Sequence, residues 1–153
     1  MQIDIVKAEN KHLADCKTAL QESKLGEVYF PEEEKVINAI NEGISKGEIF
    51  IARNNKNEGL GFIWFISNGA FHSYPYLHIV AVKKEFRNLG IGRKLITYFE
   101  ETVSKNKTKL FLVVADFNPD AKRLYQSIGY KELGMIPNLY KQGVTEFLMM
   151  KEL

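Results

Sequence analysis

The chain has 153 residues, 45% of them hydrophobic and 26% charged, with a formal net charge of +2. That length carries one domain with a proper core, and so balanced a mixture of acids and bases excludes a protein that grips nucleic acid mainly by neutralising phosphates. One cysteine, Cys16, leaves no internal disulfide and no thiolate zinc site. His12, His72 and His78 show no metal-ligand spacing, and no apolar run approaches membrane-spanning length. The N-terminus lacks the apolar core of a signal peptide, so the expectation is a cytoplasmic protein that uses no metal and no membrane.

Residues 2–8, QIDIVKA, alternate apolar and polar like a half-buried strand. A first helix follows, with Asn10 as its expected cap and Leu13, Cys16 and Leu20 at helical spacing. LGEVYF (25–30) breaks that pattern. PEEEKVINAINEGISKG then starts a helix with proline and three acids, as a helix N-terminus prefers, and Val36, Ile37, Ile40 and Ile44 make its stripe. EIFIARN and GLGFIWFIS flank the polar turn NKNEG and read as a hairpin. YPYLHIVAVKK (74–84) is a further strand. The next helix, GIGRKLITYFEETVSKNK, puts Ile91, Leu95, Ile96, Phe99 and Val103 on one face. KLFLVVADF (109–117) is almost continuously apolar, as a strand buried on both faces would be. NPDAKRLYQSIGY gives a short helix with Ala121, Leu124, Tyr125 and Ile128 inward, and two strands follow near 130–136 and 145–151. A strand, helix, strand unit over 76–115 implies a parallel pair inside an otherwise hairpin-connected sheet. The expectation is one mixed α/β domain spanning 1–153.

The chemistry-bearing stretch is FRNLGIGRK (86–94), where a strand gives way to a helix. Gly90 and Gly92 cost helix stability, and Arg87, Arg93 and Lys94 gather positive charge there. A P-loop fails, since no Ser or Thr follows a Gly-Lys pair, and a dinucleotide fingerprint fails at Leu95. What remains is a helix N-terminus with bare backbone, which suits an anion, against the plainer reading of a turn that merely needs glycine.

VAVKKEFRNLGIGRKLI resembles the acetyl-CoA-binding motif of the GNAT N-acetyltransferases, R/Q-x-x-G-x-G/A after a strand. NPDAKRLYQSIGY resembles a second element of that family, in the same order and at the same spacing. The resemblance implies an acyl-CoA N-acyltransferase fold: a central, mostly antiparallel sheet with a splayed parallel strand pair, flanked by about four helices. It implies acetyl-CoA as co-substrate and direct attack by a primary amine of a small molecule or peptide. Backbone groups of Val80, Ala81 and Val82 would pair with the pantetheine arm. The stretch Arg87, Asn88, Leu89, Gly90, Ile91, Gly92, Arg93 would hold the pyrophosphate on its N–H groups. Asn118 would bond the cofactor arm, and Lys122 and Arg123 would reach phosphates, with a solvated face as the competing role for at least one of the two.

Tyr125 matches the tyrosine that protonates the leaving thiolate in many relatives, and a phenol with pKa near ~10 holds its proton at neutral pH. The amine must shed a proton before it attacks. Relatives often use a glutamate in the strand region where YPYLHIVAV has none. His78 is the candidate base there, with a buried, hydrogen-bonded histidine as the alternative. The Val82 N–H would polarise the thioester carbonyl. Cys16, on an apolar stripe, reads as core rather than nucleophile. The acceptor side would come from LGEVYFPEEE and IPNLYKQGVTE: Glu27, Tyr29 and Glu32 for a cation, with Tyr140, Trp64 and Phe71 either as an apolar wall or as core aromatics. Glu32 to Glu34 also suit a helix start. Alternatives are a non-catalytic acetyl-CoA sensor or interaction module, or use of another acyl-CoA. A monomer or a homodimer is expected.

Overall fold

A computed structural model describes all 153 residues. The chain forms seven strands: β1 (Asp4–Lys7), β2 (Ile49–Arg53), β3 (Gly59–Ala70), β4 (Tyr74–Val82), β5 (Lys109–Ala115), β6 (Lys131–Pro137) and β7 (Thr145–Glu152). It forms five α-helices: α1 (Leu13–Gln21), α2 (Lys24–Tyr29), α3 (Glu33–Ser45), α4 (Ile91–Val103) and α5 (Pro119–Ser127). The strands hydrogen-bond in the order β1-β2-β3-β4-β5-β7-β6. β4 and β5 are parallel, as the strand, helix, strand pattern required, while β1–β2, β2–β3, β5–β7 and β6–β7 are antiparallel. Two compact units make up the chain: Met1–Phe65 with Ile79–Glu101, and Ile66–His78 with Thr102–Leu153.

The core of the first unit is aromatic. Phe50 of β2 stacks on Phe65 of β3 at 5.2 Å, and Phe65 meets Phe99 of α4 at 4.9 Å. All five residues of the expected α4 face are buried. Truncating the fully buried Phe99 to alanine would cost about 3–5 kcal/mol. Glycine is required at Gly61, where a Cβ would stand 2.6 Å from the Ala81 carbonyl oxygen, so β3 lies tight against the end of β4.

Two expectations change in this unit, and one open alternative closes. Glu9, not Asn10, caps the first helical turn: its side chain accepts the His12 backbone N–H while its own N–H donates to His12 Nδ1 at 2.9 Å. LGEVYF is part of a helix, α2, because Ser23 accepts the Gly26 N–H at 3.0 Å and so caps it. Gly26, which weakens the helical pattern, is there for space: a Cβ would lie 1.8 Å from the Leu20 carbonyl oxygen. Trp64 takes its core reading in place of the wall: it is buried and donates Nε1–H to Glu48 at 3.1 Å.

In the second unit all of β5 is registered against β7, from Lys109↔Glu152 to Ala115↔Glu146. β5 is mostly buried, as its apolar run predicts. Phe111 receives the rings of Phe71 and Tyr74 edge-on. Asn118 stands at the N-cap of α5 with Pro119 at the first helical position, and the buried Tyr125 meets Tyr130 edge-on at 5.9 Å.

Candidate active site

In the first unit β4 alternates, with Ile79 and Ala81 buried and Val80 and Val82 half-open. The Lys83 N–H donates to the Leu60 carbonyl of β3 at 2.9 Å. Successive N–H groups of a strand point to opposite edges, so the Val82 N–H points to the edge away from β3. The Lys83 ammonium is held by Asp15 at 2.7 Å.

After β4 a 3-10 turn (Lys84–Phe86) leads to Arg87, which is extended. Asn88 and Gly90 have φ of 64° and 81°, left-handed values that favour asparagine and glycine. α4 starts at once, with the Lys94 N–H on the Gly90 carbonyl at 3.1 Å. The N–H groups of its first turn have no intrahelical acceptor and face the positive end of the helix dipole. Gly92 is different from Gly90. Its backbone is not left-handed, and a Cβ there would meet nothing within 4 Å. Neither strain nor crowding inside the chain explains a glycine at that position.

Arg87 holds the loop. Its Nε donates to the Val82 carbonyl at 3.3 Å and its Nη2 to the Glu22 carbonyl, while the Lys84 N–H donates to the Glu22 carboxylate at 3.0 Å. Its guanidinium therefore braces backbone and is committed to protein acceptors. Asn88 and Leu89 are exposed, and Ile91 is buried, anchoring the first turn of α4. Glu27 is exposed on α2, and Tyr29 is its half-buried last residue.

In the second unit Tyr125 is 7% exposed, and burial pushes its phenol well above the ordinary tyrosine range. Asn118 makes no capping hydrogen bond with its side chain, although it occupies the N-cap. Lys122, expected to reach phosphates, is engaged inside the unit: it pairs with Glu132 at 2.5 Å and lies over the Phe147 ring at 3.6 Å. Arg123 pairs with Asp120 on the surface. Tyr140 is exposed and shares a hydrogen bond of 3.1 Å between its hydroxyl and that of Tyr76. His78 stands two residues along β4 on the same face, its ring 6.1 Å from Tyr76.

Two residues of this cluster are absent from the sequence reading. Tyr76 looks like one more strand aromatic. Burial chiefly, then the Tyr140 hydroxyl and the Glu146 carboxylate, push its phenol upward. Glu146 is a buried carboxylate on β7. The sequence signal for it was a lone acid in the apolar strand TEFLMM. Cys16 is fully buried, and desolvation lifts its thiol to about 12, as a core residue rather than a nucleophile.

A family model described as an acetyltransferase (GNAT) domain matches residues 19–153. An uncharacterised N-acetyltransferase of Methanocaldococcus jannaschii is 37% identical over 79 residues, 49% of this chain and 51% of that protein. The thialysine N-epsilon-acetyltransferase of Sus scrofa is 34% identical over 76 residues, 49% of this chain and 45% of that protein. The chain thus spans about half the length of these curated relatives. Among solved structures, a chain from the NatC complex bound to Gag peptide and CoA superposes with a TM-score of 0.77. It is 19% identical, with 100% of this chain and 99% of that one covered, a likeness of fold.

Proposed function

The chain belongs to the GNAT acetyltransferase family, and from that premise we propose that it carries an acetyl group from acetyl-CoA to a primary amine by direct attack in a ternary complex. Gly92 is the observation that carries the reading. A glycine in the first turn of a helix, free of crowding and of left-handed strain, leaves room for something outside the chain. The N–H groups there, the dipole, Arg93 and Lys94 favour an anion, and the pyrophosphate of CoA is an anion of the right extent.

The other roles belong to the same proposal, and the geometry of each unit supports them. Arg87 acts through its backbone and by bracing the loop, not as a phosphate-binding side chain. Val80 to Val82 continue β4 past its last registered pair with β5, Leu77↔Leu112. We assign their backbone to the pantetheine amides, in the manner of an added strand. The Val82 carbonyl already accepts from Arg87, so Val82 contributes its N–H, aimed at the thioester oxygen as negative charge develops there. Asn118, with its side chain not used as a cap, bonds the cofactor arm.

Tyr125 protonates the departing thiolate. The burial that raises its pKa keeps it fully protonated at neutral pH. The same dry surroundings raise the basicity of a thiolate leaving beside it, so transfer from phenol to sulfur remains matched. Glu27, Tyr29 and Tyr140 receive the amine-bearing substrate. The pig relative's name specifies a small amine, thialysine, and the NatC complex holds a peptide; both bear on the acceptor class. A cytoplasmic location is part of the same proposal.

The test follows free thiol released from acetyl-CoA with a panel of thialysine, L-lysine and a tetrapeptide with a free N-terminus. Turnover with any of them supports the reading. Tight acetyl-CoA binding without turnover favours a sensor instead. No thermal stabilisation by acetyl-CoA removes the cofactor assignment, because a ligand at about 100 times its Kd adds about 2.7 kcal/mol to the folded state.

A further inference from the structure

The charges on α4 run against its dipole. A helix favours acids in its first turn and cations in its last. α4 instead opens with Arg93 and Lys94 and closes with Glu100 and Glu101, with no acid in the first turn and no base in the last. A bound pyrophosphate accounts for the cations. It gives no reason for the acids at the far end.

Beside this helix, within the first unit, lies an open groove of about 330 Å³. Its apolar part is the half-buried Tyr98, Ile5 of the outer strand β1, and Ile3 just before that strand. Its polar part is exposed: Arg93 and Lys94 at one end, Thr97 in the middle and Glu101 at the other. A small molecule in so open a trough would keep much of its surface wet, whereas small-molecule sites cover most of their ligand. A helix flank fits better. Lys94 and Glu101 stand about two turns apart, hence on one side of α4, with Thr97 and Tyr98 between them. This side is separate from the buried stripe of Ile91, Leu95, Phe99 and Val103.

We propose that the groove docks a second copy of this chain, which lays the same side of its own α4 there, antiparallel, about a twofold axis between Thr97 and Tyr98. The charge pattern of this side is its own complement. The axis sets Lys94 against Glu101 of the second copy and Glu101 against its Lys94, so the pair forms twice. The cationic start of each α4 then lies beside the acidic end of the other, and the two dipoles run in opposite directions. Exposed ion pairs add little affinity by themselves. Ile3, Ile5 and Tyr98 supply the apolar surface to be covered, and the charges set the direction, since a parallel arrangement would bring cation onto cation. None of this depends on the reaction the chain catalyses.

The test is sedimentation velocity of the full chain from about 5 to about 500 μM, in about 50 mM and about 500 mM salt. The wild type should form a dimer that weakens as salt screens the pairs. Glu101→Lys sets cation against cation at both pairs and should weaken the dimer at least about tenfold. Lys94→Glu should do the same with acid against acid. The double variant, Lys94→Glu with Glu101→Lys, rebuilds both pairs in reverse and should dimerise like the wild type. Each substitution gives α4 the sign its dipole prefers at that end, so thermal melts should show folded variants with no loss of stability. A chain that stays monomeric at every concentration overturns the proposal. So does a Glu101→Lys dimer as tight as the wild type, which would put the contact on another face, and so does a double variant left monomeric.

Discussion

Replacing Gly92 by alanine should raise stability, and replacing it by a bulkier residue should weaken binding. The added methyl meets no atom within 4 Å, and the backbone there is not left-handed. The only intramolecular effect left is the lower entropy cost of alanine in a helix, about 0.5–1 kcal/mol in favour of the variant. For a chain of this size that is a rise of about 1–4 °C in Tm. The acetyl-CoA motif accepts alanine at this position, so the methyl is compatible with bound phosphate, and it is the larger side chain of Gly92→Ile that stands in the way of phosphate oxygens at the first turn of α4. Losing one hydrogen bond to a charged oxygen costs about 1.5–3 kcal/mol, a tenfold to hundredfold weaker Kd. A thermal melt of free Gly92→Ala and calorimetric titration of Gly92→Ile with CoA read the two numbers. Gly90→Ala is the contrast: its methyl also enters open space, but the φ of 81° makes it a strained site that should lose stability. A Gly92→Ile protein that binds CoA as tightly as the wild type would refute the assignment of phosphates to this helix end.

Tyr125→Phe should lower kcat about a hundredfold while CoA affinity in the same titration stays within a factor of two or so; equal losses in both would make Tyr125 a packing residue. Cys16, with its thiol raised to about 12, should resist iodoacetamide at pH 8.5 in the folded protein and react promptly in denaturant. Rapid labelling of the native chain would contradict its burial. His12 titrates below its ordinary 6.5, mainly through burial, so the unfolded chain binds the extra proton first as pH falls. Its contribution to stability is complete above pH 6.5 and declines below it. Denaturant midpoints from pH 7.5 to 5.0 should show that decline in the wild type and less of it in His12→Gln.

Hydrophobic period carried most of the fold. The α4 stripe from Ile91 to Val103 and the apolar run of β5 were readable because each buries one continuous surface, whereas of the expected inward face of α5 only Tyr125 is buried and Ala121, Leu124 and Ile128 are half-buried. The parallel pairing of β4 with β5 followed from their connection. α2 was not readable. It is six residues long and built on a serine cap and a crowded glycine, features that also describe a turn. The loop glycines stood out in the sequence because they break a helix start. Glu146 was invisible for the opposite reason: one acid in an apolar strand looks like an ordinary outward-facing residue until the register assigns it a side. Lys122 and Arg87 show a further limit. A cation near a candidate phosphate site counts as available until its partners, here Glu132 and the Val82 and Glu22 carbonyls, are known.

The brace made by Arg87 has a thermodynamic meaning. It links the end of β4 to Glu22, just past the C-terminus of α1, from the middle of the loop that leads into α4. A segment stapled in this way has little conformational freedom left to surrender when a ligand arrives. Each rotamer-rich side chain that need not be immobilised on association spares about 0.5–1.5 kcal/mol. The N–H dipoles at the start of α4 are oriented when the chain folds, not when phosphate comes. Cutting the brace, as in Arg87→Met, would leave the charge pattern of Arg93 and Lys94 in place while converting a rigid socket into one that must be assembled for every ligand molecule it captures.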